Sequence, residues 1–253
     1  MFGLKRKPKL TAYYSNAGVT EYWVEGQEIL NEAHVLIAGS TGCGKSTLIH
    51  KLMWTALSLS PGRNQFIIID MKMGVEMKRY RNLPHVLRFA QTDSEALSAL
   101  DYAMEITQQR LTEMNKTDAT MYDGSNIYVV IDELGYLLQA CGREALDRLT
   151  ALSRIARASR VHLLMASQDP SRKGCPAAIQ VNCTCLIGMK CRDAMQSRQI
   201  IGMSGCETLP RHGLAYMVQG SEVYTLPITL MPESDIQDRI NYWLDKSRCM
   251  VYR

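Results

Sequence analysis

No apolar run in the 253 residues is long enough to cross a bilayer, so no transmembrane helix is expected. The first ten residues carry Lys5, Arg6, Lys7 and Lys9 without the apolar stretch of a secretory signal. They read as a solvated tail with the charge to touch a phosphate backbone or an anionic lipid surface. Internal repeats and low-complexity linkers are also missing, which leaves one domain as the economical reading. Charge of one sign is weak. Lys and Arg number 29 against 25 Asp and Glu, a net +4, which is compatible with a nucleic-acid partner but does not argue for one. With 46% hydrophobic and 21% charged residues, large-scale disorder is not expected.

Cysteine is present but lacks the C-x-x-C pairs of the common zinc sites. With no secretory signal, the eight cysteines are expected as reduced thiols in a cytosolic protein. Cys175, Cys183, Cys185 and Cys191 lie close enough in sequence to raise zinc, but their spacing favours buried small hydrophobes. Cys183 and Cys185 are expected on one face of a strand.

What is there alternates. Tyr13, Tyr14, Tyr22, Trp23 and Ile29 suggest a short strand or hairpin leading in over 11–30. Apolar runs at 34–38, 66–69, 86–90, 127–131, 161–166 and 185–189 read as strands. Helices are predicted over 46–59, over 92–114 with Thr92 or Asp93 as cap, and over 143–158, 194–201 and 234–246. Segments 214–218 and 222–226 suggest a closing hairpin with Gly220-Ser221 at its turn. Strands alternating with helices predict an α/β fold, with a mostly parallel central sheet and helices on both faces. Residues 1–30 are then a basic tail with short lead-in strands, and 31–253 the main domain.

Gly39-Ser40-Thr41-Gly42-Cys43-Gly44-Lys45-Ser46 matches G-x-x-x-x-G-K-[ST] at every fixed position, between a strand and a helix. Glycines let the backbone curl so that several N–H groups converge on one phosphate chain, and the helix N-terminus adds its positive end. Lys45 is expected to reach the β- and γ-phosphates of ATP, Ser46 to ligate Mg²⁺, and Thr47 to complete the loop. Asp132 and Glu133 close the 127–131 strand. Asp132 is the candidate for holding Mg²⁺, and Glu133 the candidate general base for an attacking water. A kinase passes its phosphoryl group to a bound acceptor and has no need of that glutamate, so the pair favours ATP hydrolysis. Gln168 follows the 161–166 strand, where it can sense the γ-phosphate or serve as an ordinary loop glutamine.

Together these segments resemble the motor domain of the FtsK/SpoIIIE family of DNA translocases. The resemblance runs through HVLIAGSTGCGKST (34–47), FIIIDMK (66–72), LPHVL (83–87), IYVVIDELGYLL (127–138), IARASRVHLLMASQDP (155–170), SRQIIGMSGCETL (197–209) and GLAYM (213–217). It implies a RecA-like P-loop ATPase that assembles as a ring, commonly a hexamer, around double-stranded DNA, with ATP between neighbouring subunits. By position, Arg198 and Arg157 match the family's candidate arginines for a neighbour's nucleotide; surface or intramolecular salt-bridge roles stay open for both. Asp169 stands where the family has Arg. The family's membrane helices, long linker and winged-helix module have no counterpart here, so the expectation is a compact motor from a mobile element.

DNA contact is expected to be non-specific and aimed at phosphates, through Lys72, Lys78, Arg79 and Arg81 or through Arg172 and Lys173, with a solvated surface as the plain alternative. The main expectation is an ATP-driven double-stranded DNA translocase. Behind it stand a conjugation coupling, packaging or secretion-type ATPase, a non-translocating ATP-dependent switch and a small-molecule kinase. A protein partner for recruitment stays open.

Overall fold

The computed structural model describes residues 23–60, 62–72, 77–229 and 231–251. Eight strands form one sheet in the order β3-β2-β4-β5-β1-β6-β7-β8. They are β1 (His34–Ala38), β2 (Asn64–Ile69), β3 (Val86–Ala90), β4 (Asn126–Ile131), β5 (Val161–Ser167), β6 (Cys185–Gly188), β7 (Leu214–Gln219) and β8 (Glu222–Pro227). Neighbours from β3 to β6 pair in parallel, while β6–β7 and β7–β8 are antiparallel. Such a sheet has its chemistry where the parallel strands end, because every connection out of them leaves from that edge.

Alternation along the central strands sets the two cores. Val35 and Ile37 of β1 face a core built with α1 (Trp23–Leu30), α2 (Lys45–Leu59) and α7 (Glu233–Val251). Leu36 and Ala38 face the other, built with α3 (Asp93–Lys116), α4 (Leu134–Ile155), α5 (Ala177–Gln180) and α6 (Ala194–Ile201). β1 is buried along its whole length, as a strand covered on both faces must be. Thr92 begins α3 with a full capping box: its side chain accepts from Glu95 N while the Glu95 carboxylate accepts from Thr92 N.

Three expectations are corrected. Residues 23–30 form helix α1, not a strand; β1, the strand that follows, is already flanked by β5 and β6, so they have no place beside it in the sheet. A β-carbon at Gly26 would stand 2.6 Å from Thr55 Oγ1, so glycine lets α1 pack directly on α2. Residues 1–22, with the basic tail and the tyrosines, lie outside the described residues. Helix α4 begins at Leu134, not Arg143, and is interrupted at Gly142, whose φ of 57° breaks the turn. Cys183 precedes β6 and packs on the α3/α4 side, opposite Cys185. Burial pushes the Cys175, Cys183 and Cys206 thiols up to about 12, which makes them inert core groups.

Candidate functional site

β1 delivers the chain into the glycine-rich loop, and its two neighbours anchor that loop from either side. Gly39 N donates to Ser167 O at the end of β5, and Ser40 N donates to Lys190 O just beyond β6. Gly42 and Gly44 have φ of 73° and 104°, left-handed values that favour glycine and curl the backbone. Lys45 opens α2 and folds back over the loop, its Nζ donating to Gly39 O and Ser40 O at 2.8 Å each. Burial lowers the affinity of this ammonium for its proton. Those two carbonyls hold the lysine extended along the loop, where an anion cradled by the loop amides would meet it.

On the β5 flank the loop is wired to the acid pair. Thr41 Oγ1 donates to Gln168 Oε1 at 2.7 Å, and Gln168 N donates to Glu133 Oε1 at 2.9 Å. The other Glu133 oxygen accepts from Lys72 Nζ at 3.2 Å. Glu133 caps the start of α4 in an extended conformation and is 7% exposed. Asp132, buried beside it at the end of β4, shares this edge of the sheet with Ser46 in the first turn of α2. Ser46 and Thr47 are half-buried. A hydroxyl and a carboxylate are hard oxygen donors of the kind Mg²⁺ takes, so the residues present fit that ion.

Lys72 was expected at a DNA surface; it belongs instead to the acid pair's surroundings. Two more basic candidates are committed as well, Arg79 to Glu233 and Arg81 to Gln91 and the Phe89 ring. Lys78, Arg172 and Lys173 are exposed. Arg172 and Lys173 line a cleft of about 940 Å³ that also reaches Lys72, Glu133, Tyr136 and Gln168. Asp169 explains its own departure from the family pattern. Its carboxylate accepts from Ser171 N and Ser171 Oγ, closing the loop locally.

Neither arginine expected to serve a nucleotide comes to this chain's own loop. Arg157 precedes β5, at the edge where the strands begin. Arg198 lies on α6 facing a crevice with Arg172, Gln180 and Met195. Both are exposed and make no side-chain hydrogen bond or ion pair among the described residues. Two residues near the loop were not anticipated there. Lys72 is one, brought in from 61 positions away. The other is Arg211, whose Nη2 would stand 3.4 Å from a β-carbon placed on Gly42. Lys72 closes the FIIIDMK segment that carries the family resemblance, which does not say what it pairs with, and no local pattern marks Arg211.

The curled glycine loop, its lysine and the strand-end acid pair on a mostly parallel sheet define a RecA-like P-loop nucleotide-binding domain. The sequence model of the FtsK/SpoIIIE family matches residues 17–126. A DNA translocase FtsK of Staphylococcus epidermidis is 29% identical over 243 residues, covering 87% of this chain and 30% of that protein. One from Borreliella burgdorferi is 31% identical over 199 residues, covering 72% of this chain and 25% of that protein. The chain carries an FtsK/SpoIIIE-type motor domain. It spans less than a third of the length of these two relatives.

Among solved structures, the pCW3 conjugation coupling protein TcpA with ATPγS superposes with a TM-score of 0.77 at 20% identity, covering 86% of this chain and 66% of that one. The type VII secretion ATPase EccC of Thermomonospora curvata gives 0.68 at 23% identity, covering 83% and 28%. These share the fold. Family and fold together support nucleotide binding and ATPase activity. No described helix is long and apolar enough to cross a membrane.

Proposed function

We propose that this chain is the ATP-hydrolysing motor of a double-stranded DNA translocase, working in the cytoplasm as a homo-oligomeric ring, most simply a hexamer. The observation that carries the reading is the hydrogen-bonded path Thr41–Gln168–Glu133–Lys72, which ties the phosphate loop to the base and to the start of the basic segment. A motor needs such a path, because loss of the γ-phosphate must be felt by parts that move.

The roles follow from position. Loop amides from Gly39 to Ser46 cradle the triphosphate and Lys45 neutralises its outer oxygens. Ser46 and Asp132 would hold Mg²⁺, which when bound draws charge from the β- and γ-oxygens. Glu133 accepts the proton of the attacking water, and Gln168 reports the state of the loop to Glu133 through its own amide. Arg157 and Arg198 make no side-chain hydrogen bond or ion pair among the described residues and lie away from the loop of their own chain. That geometry supports a site completed by a neighbouring subunit, where a guanidinium can stabilise the charge on the transferring phosphoryl group. Lys78, Arg172 and Lys173 are exposed cations suited to sequence-independent phosphate contacts.

The deciding experiment is steady-state ATP hydrolysis with and without long double-stranded DNA, over a range of protein concentrations. Stimulation by DNA that rises cooperatively with protein is expected. Hydrolysis indifferent to DNA would overturn the translocase reading and turn attention to a conjugation- or secretion-type motor.

A further inference from the structure

The phosphate loop is flanked on both sides, and only one flank has a role so far. On the β5 side stand Gln168 and Glu133. On the β6 side, the chain leaving the sheet builds a wall against the loop. Met189 N donates to Ala38 O, and Lys190 O accepts from Ser40 N. Lys190 Nζ reaches across to Glu207 O at 2.6 Å, which ties this wall to the turn at Cys206–Thr208. The following residues are pinned at both ends. Leu209 is buried, and Gly213 O accepts from Ile228 N as the chain enters β7. Arg211 stands between these pins, exposed, and its guanidinium extends over Gly42. It makes no hydrogen bond or ion pair among the described residues.

A cation in that place is odd without an anion. The loop amides, the N-terminal end of α2 and Lys45 already make the region positive, so a further guanidinium is opposed by all three. A triphosphate reverses the sign of the interaction. Thr41 faces Gln168 and its neighbour Gly42 faces Arg211, so a phosphate chain in the loop would be bracketed by the base on one side and an arginine on the other.

We propose that Arg211 contacts the β,γ-phosphate region of a nucleoside triphosphate bound in its own subunit, as a same-chain counterpart to any arginine supplied by a neighbour. A planar guanidinium can give two hydrogen bonds to phosphate oxygens and neutralise the charge that builds on the bridging oxygen during cleavage. The assignment rests on the reading of this loop as a triphosphate site.

The test is Arg211→Ala, with Arg211→Lys as a partial rescue, measured first by direct binding. Affinity for ATPγS should fall about tenfold, the loss of one charge-assisted contact, while ADP should change about twofold or less. The lysine variant should recover part of the loss, and the melting temperature should not move, since the side chain is exposed. Hydrolysis should fall as well. It should not recover when the alanine variant is mixed with Glu133→Gln subunits, which retain Arg211 and would restore activity if the arginine served a neighbour. Unchanged ATPγS affinity, or recovery on mixing, would overturn the proposal while leaving the motor reading intact. Failure of the unaltered protein to bind ATPγS would overturn both, and would show that the fault lies in the reading of the loop.

Discussion

The two edges of the parallel sheet use arginine differently. Where the strands begin, Arg110 donates to Ser125 O and Ser159 O at 2.8 Å each and covers the Tyr122 ring, while Arg160 donates to Tyr122 O and Asn126 Oδ1. These cations staple backbone that would otherwise have buried, unpaired carbonyls. Where the strands end, Arg211 stands by the phosphate loop with no such duty. Arg157 shows that the division is by role as well as by edge. It sits three residues before Arg160 in sequence, on the stapled edge, and is free of the backbone. A protein that satisfies its structural arginines so fully, and leaves Arg157, Arg198 and Arg211 among those with no side-chain hydrogen bond or ion pair among the described residues, has charge available for something outside the chain.

Glu133→Gln is the change expected to break the catalytic edge most severely. The amide keeps the oxygen that accepts from Gln168 N but can neither take a proton nor pair as an anion with Lys72. Hydrolysis should fall by about a hundredfold to ten-thousandfold, the usual contribution of a general base, with ATP still bound. Single-turnover assays with retained-nucleotide measurements would check this. Turnover at the normal rate would remove Glu133 as the base and leave its contacts a structural tie.

Next in size are the arginines of the opposite edge, which sharpen the contrast directly. Arg110→Ala should cost about 3 to 4 kcal/mol in denaturant unfolding, because two carbonyls lose their donor and a ring loses its cation. Arg157→Ala should cost within about 0.5 kcal/mol, as for an exposed side chain without partners. If Arg157→Ala proved as destabilising as Arg110→Ala, the distinction between stapling and free arginines would fail.

Much of this was legible in the sequence where a single segment carries its own signal. The apolar runs of β1, β2, β4 and β5 are buried on both faces and need no partner to be identified. The phosphate loop has a fixed spacing, and Thr92 with Glu95 announces the start of α3 through local hydrogen bonds. The signal fails where tertiary contacts decide. α1 is a helix because it packs on α2, which the sequence of Trp23–Leu30 does not indicate. Gly142 hid the first half of α4 by interrupting its period. Lys72 reads as one of a run of basic residues, and only the adjacency of β2 and β4 brings it to Glu133. Arg211 lies in a turn whose sequence has no pattern, and its position is set by where β6 and β7 put the ends of that turn.

A loss smaller than that of Arg110→Ala is expected from the histidines of the stapled edge. His34 begins β1 and is 1% exposed, its Nδ1 accepting from Leu163 N. Burial, helped by nearby His162, lowers its pKa from 6.5 to about 4. The native state therefore holds the ring neutral, whereas the unfolded chain protonates it below about 6.5. Stability from this group is full above pH 6.5 and declines as the pH falls toward 4, because in that window the unfolded state binds the extra proton. Between pH 7 and pH 5 the decline due to His34 should be about 2 kcal/mol. His34→Asn keeps an acceptor for Leu163 N but does not titrate, so its stability should fall by about that much less over the same interval, whatever its stability at pH 7. Denaturant titrations at the two pH values give the difference between slopes. Equal slopes would mean that His34 keeps its proton on folding, and that the edge where the strands begin is less dry than its stapled arginines imply.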